Sequence, residues 1–318
     1  MTERRPTMNG VRRAAERLAG VVTRTPLLPL IWEGRRIWVK AECLQQGGSF
    51  KLRGASNRLL QLDEAQRAAG VVAFSSGNHA QGVARAARAL GIEAVIVMPR
   101  DAPAVKVEGT RAQGARIVFF DRATESREEI GARLAAEKGA MLVPSFDDVD
   151  VIEGQGSVGV EIEAQLGHQP PAVIVPCGGG GLSSGIALAL PESHIVAVEP
   201  EGWDDMGRSL ALGHIVPVDE PAPPTRCDAL QTKLVSPLTF AALSAAGASA
   251  LAVSEAEVEA AMVHAFSALR IVAEPGGAVA LAALLSGRAG DVPEGSVVIV
   301  SGGNVDPAVY AEILRAAR

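Results

Sequence analysis

The sequence predicts an α/β protein of doubly wound, mostly parallel open sheets arranged as two units. Three observations carry this. Short Val/Ile-rich runs alternate with helix-period stretches along most of the chain. The runs are apolar throughout, as strands covered on both faces are. Two of the helical stretches stop at a glycine placed to cap them. At 318 residues the chain can fill two such units.

The strands read in order as "GVVAFSS", "AVIVMP", "ARIVFF", "AMLVPS", "AVIVPC", "HIVAVEP", "SALAVS" and "SVVIVSGG". Between them, "HAQGVARAARALG" and "SREEIGARLAAEKG" are helical and end at Gly91 and Gly139. "SEAEVEAAMVHAFSALR" opens with Ser254 three residues before Glu257, a capping-box spacing. "VPVDEPAPPTR", with four prolines, is a loop. The pattern fits one unit nested in another: residues 62–147 form a small domain inside a large one of residues 1–61 and 148–318.

Composition excludes several functions. Aromatics are 3% of residues, too few for base-stacking platforms, and the net charge of -6 with no basic block argues against a nucleic-acid partner. Three scattered cysteines lack metal-ligand spacing and fit a reducing compartment. "MTERRPTMNG" has no apolar signal core and no run is long enough to span a membrane, so a cytoplasmic protein without membrane contact is expected.

"CLQQGGSFKLRGASN" frames Lys51 between a Gly47-Gly48 turn and Arg53-Gly54. A lysine used in chemistry must be held and partly desolvated, because only its neutral amine is nucleophilic. "VIVPCGGGGLSSG" sets Gly178, Gly179, Gly180 and Gly181 between a strand and a helix, a context in which backbone N–H groups and the helix dipole cradle a phosphate. The run does not complete G-x-G-x-x-G, although Glu199 falls where a ribose-binding acid belongs, so a dinucleotide oxidoreductase is the weaker alternative. "GLSSG" matches G-x-S-x-G of hydrolases, but its Ser183 falls inside the helix and not on the strand-to-helix turn. A non-catalytic amino-acid-binding protein is a further alternative. "SSGNHAQG" and "SGGN" also sit at element ends. A framed lysine together with a phosphate cradle points to pyridoxal phosphate held as a Schiff base.

Taken in order, "RTPLLP", "GGSFKLRGA", "SSGNHAQG", "CGGGGL" and "SGGNVD" resemble the fold-type II pyridoxal-phosphate enzymes, and within them the serine/threonine dehydratase and serine racemase family. The resemblance runs over nearly the whole chain. It implies two doubly wound open-sheet domains with the cofactor between them. It implies that Lys51 carries the cofactor, Phe50 packs beside its ring, and Gly178 to Gly181 with Leu182 hold the phosphate. Asn78 then bonds the ring hydroxyl, Ser301 meets the ring nitrogen and Glu274 lies near the ring. Ser75, Ser76, Gly77, Asn78 and His79 take the substrate carboxylate, and Asp228 lies near the substrate. The family often has Asp-Gly at this last place, where the chain has Ala229. Arg127 matches an arginine facing the substrate end. A plainer reading makes Asn78 and Ser76 helix caps and pairs Arg127 along its helix face.

The expected reaction is β-elimination of L-threonine or L-serine to a 2-oxo acid and ammonia. Serine racemase or 3-hydroxyaspartate dehydratase is the alternative on the same site. Lys51 would serve one face of Cα, and Ser76 would supply a racemase's acid on the other. No appended regulatory domain and a homodimer are expected. Glu199 and Asp205, six apart across a turn, repel unless a cation separates them. Their spacing resembles the family's divalent-ion site, with the Trp203 carbonyl as a third ligand, and oxygen donors suit Mg²⁺ or Ca²⁺. The plainer reading has one acid capping the next helix and the other facing solvent.

Overall fold

The computed structural model describes residues 4–316 except Ser76 and Pro103. Ten strands make two sheets. β1 (Leu27–Trp32), β2 (Arg35–Ala41), β7 (Ala172–Pro176), β8 (His194–Pro200), β9 (Ser249–Val253) and β10 (Val297–Val300) form one, ordered β1-β2-β10-β7-β8-β9. β3 (Val71–Phe74), β4 (Ala94–Pro99), β5 (Arg116–Phe120) and β6 (Met141–Leu142) form the other, ordered β5-β4-β3-β6. All pairings are parallel except β1 with β2. That hairpin is absent from the sequence reading. Its Pro29 and mixed burial lack the continuous apolar run of the other strands. The "AMLVPS" strand is only Met141–Leu142.

The sheets are buried on both faces. β4 sends Ala94, Ile96 and Met98 into one apolar cluster and Val95 and Val97 into another. In the larger sheet, helix Pro275–Leu285, buried from Pro275 to Leu284, packs on one face, and helices Ser157–Leu166 and Gly181–Ala189 pack on the other. The predicted punctuation is present. Gly91 and Gly139 end their helices in the left-handed region, and Ser254 with Glu257 makes a reciprocal capping box. Val216 to Arg226 has neither helix nor strand.

Topology decides where a site can lie. β2, β10 and β7 are adjacent and parallel, so the segments after their carboxyl ends emerge side by side. Those segments are the lysine frame, "SGGN" and the glycine run. The loop after β3 faces them from the smaller sheet. Open parallel sheets bind ligands at such carboxyl-end crevices.

Candidate active site

Lys51 is the first residue of helix Lys51–Leu60. The Phe50 N–H donates to Ser301 O at 3.1 Å, and Ser49 bridges Gly302, so the frame is stitched to the end of β10. The helix is anchored from below. Arg53 forks onto Glu42 with Nε and Nη2 at 2.8 Å each, and onto Glu161 at 2.7 and 2.9 Å. Lys40 donates to the same Glu161 at 2.7 Å. Arg53, Glu42 and Lys40 are wholly buried. Lys51 Nζ itself donates to Ser145 O at 3.1 Å and lies 5.1 Å from the Phe50 ring centre. Burial pushes its ammonium down to about 8.

The glycine run joins β7 to helix Gly181–Ala189. Gly180, at φ +85°, turns the backbone into that helix, a conformation that favours glycine. A side chain on Gly179 would collide with the Phe146 ring. Among the described residues, the N–H groups of Gly178, Gly179 and Gly181 donate to no protein acceptor. This concave set of free donors at a helix N-terminus fits a phosphate. Phe50, Lys51, Asn78, Leu182 and Ser301 line the same chamber, so the lysine amine and the cradle open into one space.

A wider cleft of about 580 Å³ adjoins this chamber and shares Lys51 and Asn78 with it. Ser75, Gly77, His79, Arg127 and Asp228 line the cleft. Ser76 lies outside the described residues. Gly77, not Asn78, is the cap position of helix Asn78–Leu90, and among the described residues no side chain caps it. Asn78 instead points its Nδ2 at Glu274 and its Oδ1 at Asn304. The His79 Nε2 meets Val143 O at 2.8 Å. A carbonyl only accepts, so Nε2 carries the hydrogen and the buried Nδ1 is bare. Burial, and then the nearby Lys51, push His79 down to about 3, so the ring is neutral. Glu274 does not line the chamber; it holds Asn78. Its carboxyl is raised to about 7, by burial first, with Lys106 opposing.

Arg127 does not pair four residues along its helix. Its Nε donates to Glu128 at 2.8 Å and its guanidinium lies 5.6 Å from the Phe74 ring centre. Asp228 is ion-paired with the buried Lys106, whose Nζ lies within 3.8 Å of where a Gly77 Cβ would stand. The sequence reading misses Lys106, Asn304, Ser145 and Phe146. The first two act through partners 122 and 226 residues away, and no local pattern marks them.

Glu199, Trp203 and Asp205 stand apart from the cleft, behind the cradle. Glu199 accepts from the N–H groups of Met206 and Gly207 at 3.0 and 2.8 Å, so it caps helix Asp205–Leu212, as the plainer reading has it. Asp205 does not face solvent. Both its oxygens are buried, and neither makes a hydrogen bond of good geometry among the described residues, with only the backbone of Val235 and its own N–H nearby. Burial first, and neighbouring carboxylates after it, hold Glu199 well above the usual range, and burial raises Asp205 to about 7. The Trp203 indole donates to Pro223 O at 2.8 Å. Among the described residues no three His, Cys, Asp or Glu side chains converge on a metal position, and no helix is long and apolar enough to cross a membrane.

Comparison with known proteins agrees with this geometry. The chain is 45% identical over 311 residues to an L-threo-3-hydroxyaspartate ammonia-lyase of a Pseudomonas species, covering 95% of this chain and 97% of that one. It is 39% identical to an L-threonine ammonia-lyase of Thermotoga maritima, covering 94% and 76%. The structure of maize serine racemase superposes with a TM-score of 0.90 at 36% identity, covering 99% of this chain and 98% of that one. The family described as pyridoxal-phosphate dependent enzyme matches residues 18–303, and the chain belongs to it, with the fold-type II architecture of its lyases and racemases.

Proposed function

We propose that this protein is an ammonia-lyase for a β-hydroxy amino acid with an acidic side chain, 3-hydroxyaspartate. One observation carries the choice of substrate. Arg127 lines the cleft that holds Lys51, and its terminal nitrogens take no partner among the described residues. A guanidinium fork held by its Nε is prepared for a carboxylate. Lys106 stands beside Gly77, its charge balanced by Asp228. The Pseudomonas relative supports the reading by its name. Serine or threonine would use the same machinery but leave Arg127 idle. Racemisation needs an acid opposite Lys51, the role the family resemblance gives Ser76.

Bound pyridoxal phosphate supplies the electron sink that makes the Cα proton removable. The chain's residues do the rest. The N–H groups of Gly178, Gly179 and Gly181 hold the phosphate. Ser301 offers the ring nitrogen a neutral hydroxyl, which cannot keep it protonated as a carboxylate would. The uncapped start of helix Asn78–Leu90 takes the α-carboxylate. Lys51, with its lowered affinity for protons, takes the Cα proton. The products are a 2-oxo acid and ammonia. A homodimer is the assembly we expect.

We also propose Mg²⁺ or Ca²⁺ between Glu199 and Asp205, with the Trp203 carbonyl as a third ligand. The bare oxygens of Asp205 are the motive. Its part is structural. Met206 follows Asp205 and packs against Gly180, so the ion braces the cradle.

Three outcomes test this reading. Arg127→Ala should lower kcat/KM for 3-hydroxyaspartate about 100-fold, the scale of a charge-assisted bidentate contact, and that for threonine less than about threefold. Equal losses would return Arg127 to the surface. Cofactor loading onto cofactor-free protein should rise roughly tenfold per pH unit and level off above about pH 8, where the Lys51 amine is free; a rate still climbing at 10.5, the ordinary lysine value, would contradict the lowered amine. Asp205 binds its proton more tightly folded than unfolded. Chelated protein should therefore lose stability as pH rises from 3.8 to about 7, and Mg²⁺ should remove that loss. Melting temperatures unmoved by chelation or Mg²⁺ would leave the site without an ion.

A further inference from the structure

Of the four residues that follow β10, Ser301 to Asn304, only Ser301 has a role above. Asn304 is tied into the same place. Its Nδ2 donates to Gly47 O and to Asn78 Oδ1, each at 2.8 Å. A backbone carbonyl can only accept, so Gly47 decides which end of the Asn304 amide faces it. The same nitrogen meets Asn78, so Asn78 must present its oxygen. That turns Asn78 Nδ2 onto Glu274 Oε1. Polarity passes from one fixed carbonyl through two amides to a buried carboxylate.

The packing leaves little room for another arrangement. A side chain on Gly48 would collide with the Asn304 amide, and one on Gly302 with Glu274. Gly303 N donates to Gly48 O at 2.9 Å, and Glu274 N to Gly302 O at 3.0 Å. Asn78 is 7% exposed and comes from the segment after β3, whereas its two partners come from the segments around the larger sheet.

We propose that Asn304 is a positioning residue that fixes the amide of Asn78, so that a donor and not an acceptor is presented to the cofactor ring. Nδ2 carries two hydrogens. One is spent on Glu274, and the other is left for the chamber that Asn78 lines. If the amide turned over, the chamber would meet Oδ1, which repels a ring oxygen. Glu274 would then face an oxygen as well. The inference rests on the cofactor family and is independent of the substrate, so failure of the 3-hydroxyaspartate reading leaves it standing.

The test is a double-mutant cycle in which the dissociation constant of pyridoxal phosphate is read from its visible absorption, without substrate. Asn304→Asp is isosteric but cannot donate, so it keeps the shape and removes the instruction. It should weaken cofactor binding about tenfold, the worth of one misdirected hydrogen bond. Asn304→Ala should do about the same. In an Asn78→Ala background the Asn304→Asp change should cost less than about twofold, because Asn304 acts through Asn78. Three results would overturn the proposal: unchanged binding in Asn304→Asp, a lowered melting temperature with normal cofactor affinity, or an equal loss whether residue 78 is Asn or Ala. The last would mean that the new charge, or the Gly47 tie, acts directly. If Asn304→Ala does not fold, the isosteric variant still decides.

Discussion

The site depends on a set of four charges, three of them wholly buried and Glu161 partly so. Arg53, two residues after Lys51, is gripped by Glu42 and Glu161, and Glu161 also holds Lys40. Two cations and two carboxylates balance, so the set can lie in the interior. Removing one member would strand a charge at a cost of about 3–5 kcal/mol. Burial lowers Lys40, while the cations outweigh burial to hold Glu161 below its usual range. These groups come from β2, the turn after it, the lysine helix and helix Ser157–Leu166. The start of the lysine helix thus has one position relative to the larger sheet.

Close backbone approach completes the arrangement. The segment after β10 lies between the Gly48 turn and Glu274–Gly277, and the glycine run lies under Phe146. Glycines allow this, and in the glycine run they leave N–H groups with no protein acceptor among the described residues. The same density explains why so few polar side chains are needed. In the proposed mechanism the cofactor supplies the electron sink, and the chain contributes donors, a neutral hydroxyl and one lysine of lowered basicity.

Much of this is legible in the sequence because it is written locally. Eight apolar runs, the terminal glycines at 91 and 139, the Ser254–Glu257 box and the Gly178 to Gly181 run each declare themselves within a few residues. The β1–β2 hairpin does not, since its strands carry mixed faces and a proline. Long-range side-chain partners are also silent. Nothing near Lys106 announces Asp228, and nothing near Asn304 announces Asn78. Asn78 reads as a cap from its neighbours, yet tertiary partners claim its amide. Glu199 does cap a helix, but one six residues on.

Lys51 is the proposed carrier of the cofactor. Borohydride reduction of the native holoenzyme, followed by proteolysis and mass analysis, tests it most directly. The cofactor's reduced mass should appear on the peptide containing Lys51 and on no other. Its appearance on Lys106, Lys40 or any other lysine, or a protein that takes up no label, would contradict the account.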